Sequence, residues 1–60
     1  MHEKRIEIMR AIQENPKITV RELVTKTGLS SASHVDYHLQ RLIIDGYIKR
    51  MQGFKVLKKI

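Results

Sequence analysis

Pro16, Gly28 and Gly46 cut the 60-residue chain into pieces that have room only for helices of two to four turns. From Glu3 to Asn15 the apolar residues Ile6, Met9 and Ile12, or Ile8 and Ile12, recur at three- and four-residue spacing, the stripe of an amphipathic helix. Pro16 ends it, because the residue before a proline is driven out of the helical region. Lys17-Ile18 is a short extended link. Thr19-Val20-Arg21-Glu22 then has the form of a capping box, in which the threonine oxygen and the glutamate each bond the other's backbone N–H. The helix it opens points Val20, Leu23 and Val24 inward and stops at Gly28, which takes a left-handed cap without steric cost. Ser31 caps a third helix, with Val35, Leu39 and Leu42 inward, Ile43 on the flank and Gly46 at its close. The tight Gly28-Leu29-Ser30 connection makes the second and third helices a helix-turn-helix.

Beyond Gly46 the period changes. Tyr47-Ile48-Lys49-Arg50-Met51 and Phe54-Lys55-Val56-Leu57 have strand-like composition around Gln52-Gly53, a plausible tight turn. The alternation is imperfect and leaves the register open. Lys17-Ile18-Thr19 is a candidate third short strand. The expected fold is α+β, three short helices followed by a β-hairpin, in one domain over residues 1–60. A domain of this size buries only about 60% of its unfolded surface and leaves no room for a second. With 42% hydrophobic residues and clear periodicity it should fold rather than stay disordered.

The chain has no cysteine, so neither a disulfide nor a thiolate metal site can staple it, and a reducing, cytoplasmic setting fits. Its longest apolar run, Leu42-Ile43-Ile44, falls far short of the roughly 20 residues that span a bilayer. Glu3 and Glu7 stand where a signal peptide would be apolar. The net charge is +6 and is uneven. Residues 1–45 carry seven Lys/Arg against six Asp/Glu, whereas residues 46–60 carry Lys49, Arg50, Lys55, Lys58 and Lys59 and no acid. A polyphosphate backbone suits such an end, since each cation placed on it releases condensed counterions. A solubilising surface is the plainer explanation of a charge run taken alone.

With Val35, Leu39 and Leu42 in the core, about 100° per residue puts Ser33, Tyr37, Gln40, Arg41 and Ile44 on the far side of the third helix, with His34 and Asp36 at the edges. Solvated helix faces are usually filled with Lys and Glu. This one offers groups that hydrogen-bond or stack on base edges in a major groove. Unpaired N–H groups at the helix start suit a phosphate, which makes Ser30, Ser31 and Ser33 positioning contacts. Arg21 and Lys26 on the second helix, and Lys49, Arg50 and Lys55 on the hairpin, are placed to touch flanking phosphates or the adjacent minor groove; such contacts set affinity and register, not sequence. Against this, Ser31 can be a cap alone, Tyr37 a partly buried prop, and Ile44 merely exposed.

Arg21-Glu22-Leu23, the turn Thr27-Gly28-Leu29-Ser30-Ser31-Ala32-Ser33, His38-Leu39-Gln40-Arg41-Leu42 and the exit Asp45-Gly46-Tyr47-Ile48 resemble, in order and spacing, the winged-helix domain of LexA-type repressors. The resemblance covers most of the chain and implies a winged helix-turn-helix, with a recognition helix at about 31–45 and a wing at about 47–57. It implies sequence-specific binding of double-stranded DNA by a small transcriptional regulator, a repressor, with no cofactor; because a single module of this size buries limited DNA surface, it is expected to act as a homodimer or as cooperating copies. The family's base-reading positions fall on Ser31, Ser33, His34, Asp36 and Tyr37. His34 and Tyr37 depart from the best-known members, so the same operator is not implied. Nor is damage-triggered autoproteolysis, since those repressors carry a second domain with a serine-lysine dyad that has no counterpart here. The expectation is a stand-alone regulator of a prokaryote or its virus, or an excised domain.

Other classes fit less well. Ser33, His34 and Asp36 have the residue types of a catalytic triad, but neighbours on one helix point apart instead of converging on one reacting atom. His34 and His38 are spaced to clamp a metal, with a third ligand from His2 or an acid, yet His38 lies beside the core stripe, where a packed, hydrogen-bonded ring is expected. A protein-interaction or RNA-binding winged helix is the main alternative. It would call for an apolar patch or several stacking aromatics, for which Ile44, Tyr37, Tyr47 and Phe54 are the candidates.

Overall fold

Each helix begins where a side chain supplies an acceptor to the first turn, whose N–H groups have no partner of their own. In the computed structural model, which describes residues 1–59, three helices, α1 (Glu3–Glu14), α2 (Val20–Thr27) and α3 (Ala32–Ile44), precede two strands, β1 (Ile48–Met51) and β2 (Gly53–Val56). His2 Nδ1 accepts from the Lys4 N–H at 3.1 Å at the start of α1. The capping box of α2 is complete: Thr19 Oγ1 accepts from the Glu22 N–H at 3.2 Å and Glu22 Oε1 from the Thr19 N–H at 3.0 Å. Ser31 Oγ caps α3 by accepting from the His34 N–H at 3.4 Å. Gly28, at φ 69°, closes α2. At the end of α3 the Gly46 N–H bonds the Ile43 carbonyl and the Tyr47 N–H the Leu42 carbonyl, the paired bonds of a Schellman turn that aims the chain into β1.

The core lies where the three helices and the inner face of the hairpin meet. Ile8, Met9 and Ile12 of α1, Leu23 of α2, Val35, Leu39 and Leu42 of α3 and Ile48 of β1 are all but fully buried, with Ile18 and Phe54 closing the side near the hairpin. The α3 stripe is the expected one. In α1 the buried line runs through Ile8, Met9, Ala11 and Ile12, and Ile6 is only half-buried. Thr27, a core position that periodicity did not suggest, is buried with its hydroxyl donating to the Leu23 carbonyl at 2.7 Å.

The strands pair antiparallel, with Ile48 opposite Val56, Lys49 opposite Lys55, Arg50 opposite Phe54 and Met51 opposite Gly53. Gly53 is therefore a ladder residue rather than half of the expected two-residue turn. Lys17-Ile18-Thr19 forms no third strand, for the sheet has two. The link meets the hairpin through one backbone bond, from the Phe54 N–H to the Pro16 carbonyl at 2.6 Å. Proline offers no N–H to return and Ile18 turns back on Asn15, so no ladder can extend. Among the described residues no helix is long and apolar enough to cross a membrane.

Candidate nucleic-acid interface

The outward face of α3 carries Ser33, Tyr37, Gln40 and Ile44, all exposed, with Tyr37 at 58% and Ile44 at 69%. The two ionic side chains of the helix are each drawn aside. Asp36 Oδ1 lies 4.0 Å from Arg50 Nη1 on the hairpin, and Arg41 Nη2 lies 3.8 Å from Asp45 Oδ1 at the helix end. What remains in the middle is a stripe of neutral hydrogen-bonding and apolar groups. Both pairs are exposed and long, worth about 0–1 kcal/mol, so either arginine can be redirected by a stronger anion.

On the hairpin, pairing puts Ile48, Arg50, Phe54 and Val56 on one face and Lys49, Met51 and Lys55 on the other. Arg50 thus stands on the inner side, its guanidinium 5.4 Å from the Phe54 ring centre, and is aimed at α3. Lys49 and Lys55 face each other across the outer side, an arrangement that destabilises an isolated hairpin and is relieved when a polyanion lies against it. Arg21 and Lys17 line a shallow groove with Arg50 and Met51, where the start of α2 approaches the hairpin. Lys26 stands apart from this group, its ammonium 3.4 Å from Glu14 of α1.

The opposite flank of α3 packs against the start of α1. Arg5 Nε donates to His38 Nδ1 at 3.1 Å, and the same guanidinium lies 5.8 Å from the centre of the Tyr37 ring. His2 places its ring 4.7 Å from that of His38. His38 is buried, and burial first, then the charges of His2, Arg5 and His34, hold its pKa below the ordinary histidine value. The packed, hydrogen-bonded ring expected at His38 is what the structure shows. His34 Nδ1 lies 2.7 Å from Ser30 Oγ. Ser33, His34 and Asp36 therefore form no triad: His34 meets Ser30, and Asp36 meets Arg50.

All the side chains expected at an interface, Ser30, Ser31, Ser33, His34, Asp36, Tyr37, Gln40, Arg41, Arg21, Lys26, Lys49, Arg50 and Lys55, are exposed. The fold gathers the start and outer face of α3 and, through Asp36, joins them to Arg50. Two neighbours of this surface went unnoticed in the sequence, Lys17 and Arg5, and His2 was weighed only as a candidate metal ligand beside His34 and His38. No local pattern marks Lys17 and Arg5, since each reaches the surface only through the packing of α1 and of the link against α3 and the hairpin.

A helix-turn-helix with a two-stranded hairpin set beside its second member defines a winged helix-turn-helix domain. The chain belongs to the winged helix-turn-helix DNA-binding family, whose model matches residues 1–49, the three helices and the start of β1. Comparison with curated proteins and with solved structures finds no match.

Proposed function

We propose that the chain is a sequence-reading regulator of transcription, a repressor that lays α3 in the major groove of double-stranded DNA and its hairpin wing on the flanking backbone or minor groove. The observation that carries this reading is the stripe of Ser33, Tyr37, Gln40 and Ile44, which is exposed, holds no lysine or glutamate, and is flanked by cations. Gln40 has the amide that pairs bidentately with adenine, Ile44 the apolar surface that meets a thymine methyl, and Ser33 and Tyr37 hydroxyls for either partner. Ser30, Ser31 and His34 at the helix start, Arg41 at its end, Arg21 and Lys17 beside the wing, and Lys49, Arg50 and Lys55 on it supply phosphate contacts. Asp36 either accepts from a cytosine amino group or stays paired with Arg50 to spare the phosphates its charge. Lys26, at the end of α2, is a further candidate for a phosphate contact.

The repressor role rests on the resemblance to LexA-type repressors and requires no chemistry beyond occupancy of a site. A prokaryotic or viral regulator at the nucleoid is the setting it implies. Two copies on a two-fold site would place their recognition helices about 34 Å apart. The longest dimension of the backbone is 26 Å, so two such copies fit side by side on a two-fold site, as a homodimer or as cooperating copies.

Competition binding tests the partner class. A labelled DNA duplex should be displaced by unlabelled duplex DNA at concentrations at least tenfold below those needed of an RNA duplex of the same sequence, because the deep, narrow major groove of A-form RNA shuts out a helix. Equal competition by RNA would overturn the major-groove reading in favour of an RNA-binding module.

A further inference from the structure

We propose that Arg5, a residue of α1, is a positioning residue for base reading: anchored on His38, it holds the Tyr37 ring in place, and sequence discrimination through Tyr37 is lost when His38 takes a proton. This rests on the reading of the α3 face as the base-reading surface.

The Arg5 guanidinium does two things at once, donating from Nε to His38 Nδ1 at 3.1 Å and lying 5.8 Å from the centre of the Tyr37 ring. The second contact is a cation–π approach near the outer limit of about 6 Å, so it is kept only while the first fixes the guanidinium. Tyr37 is 58% exposed and touches the edge of the His38 ring, with ring centres 5.3 Å apart. Little else fixes a side chain so exposed. An arginine has no acceptor, so Nδ1 of His38 must carry a lone pair, and the neutral ring then holds its proton on Nε2. When His38 is protonated both ring nitrogens become donors. The hydrogen bond to Arg5 is then lost, and two cations face each other at hydrogen-bond distance.

The groups around His38 sharpen this response. From α1 it meets His2, whose ring is 4.7 Å away, and Arg5; on α3 it meets His34 and Tyr37. Ser30 in the turn is spent on His34. Among the described residues, the groups whose charges act on His38 are His2, Arg5 and His34, all of them basic. A proton on His38 is therefore opposed from both helices, and the Arg5 contact is the one that can give way, by rotation of a half-buried side chain.

The test measures discrimination instead of affinity, because any positive charge gained as pH falls strengthens binding to all sequences alike. The affinity ratio between a selected duplex and a scrambled one is followed from pH 7.5 to 4.5, through the lowered range in which His38 takes its proton, for wild type, Arg5→Gln, His38→Asn and Tyr37→Ala. Asparagine places its amide oxygen near the Nδ1 position and does not titrate in this range. The ratio should fall about five- to tenfold in wild type, in line with the loss of one good base contact. It should be low and flat with pH in Arg5→Gln and Tyr37→Ala, and high and flat in His38→Asn. A wild-type ratio at Arg5→Gln, or a pH-dependent ratio surviving in His38→Asn, would overturn the proposal.

NMR of the free protein separates this outcome from a failure of the DNA reading. The Tyr37 ring resonances should move in Arg5→Gln, and they should titrate with His38 in wild type. If they do neither, Arg5 does not position Tyr37, whatever the DNA measurements show.

Discussion

Gly53 sits so close to the link that a Cβ built on it would stand 2.5 Å from the Pro16 carbonyl oxygen, and its φ of 92° is one that side chains rarely adopt. Gly53→Ala should therefore cost about 2 kcal/mol through strain and the displaced bond from the Phe54 N–H. In a domain of this size that lowers the melting temperature by about 8–16 °C, which thermal denaturation followed by circular dichroism would show. Single residues also fix the acid limit of the fold. His38 is held below its ordinary pKa of 6.5, so the unfolded chain takes up its proton first; the stability this confers is complete above about pH 6.5 and drains away as pH falls from there toward the lower folded value. Glu22 is held below its ordinary 4.5 by the Thr19 N–H and then the Thr19 hydroxyl, so its share persists to lower pH and is lost as pH falls through its folded pKa. Melting temperatures should accordingly fall in two stages on acidification, with His38→Asn removing the upper one. The caps at Thr19, Gly28 and Ser31 were legible in the sequence because they are local. The Arg5–His38 bond, 33 residues apart in the chain, was not, because no spacing announces it.

The elements divide along the same line. The inward stripe of α3 was legible, for Val35, Leu39 and Leu42 repeat on a helical period, and its outward face follows from geometry alone. The hairpin was legible as a hairpin but not in register, since Arg50 faces inward over Phe54 while the apolar Met51 faces out, which reverses the usual alternation. That reversal puts Arg50 where Asp36 of α3 meets it. Lys49 opposite Lys55 costs the free protein stability. Lys55→Glu should stabilise the free domain by a few tenths of a kcal/mol up to about 1 kcal/mol and at the same time weaken DNA binding. Urea denaturation and duplex titration on one preparation would check both. A gain in stability with unchanged DNA affinity would remove the wing from the interface.

Over the whole molecule, excess charge and surface shape act together. The net charge of +6 comes mostly from the last 15 residues, where five Lys/Arg meet no acid. Lys49→Ala and Lys55→Ala should each reduce the slope of log affinity against log salt by about 0.9 and weaken binding to all sequences alike, because a phosphate contact carries no base identity. The overall architecture could be read from the sequence because 60 residues punctuated by Pro16, Gly28 and Gly46 have few ways to fold. The assembly of the interface could not, because it depends on where α1 and the link pack. The most direct measurement is selection of bound duplexes from a randomised pool by wild type, by Tyr37→Ala and by Gln40→Ala. Base reading by α3 predicts one enriched motif for wild type, loss of preference at particular positions in each variant, and residual salt-sensitive binding in both. Enrichment of no motif, or of the same motif by all three proteins, would contradict it.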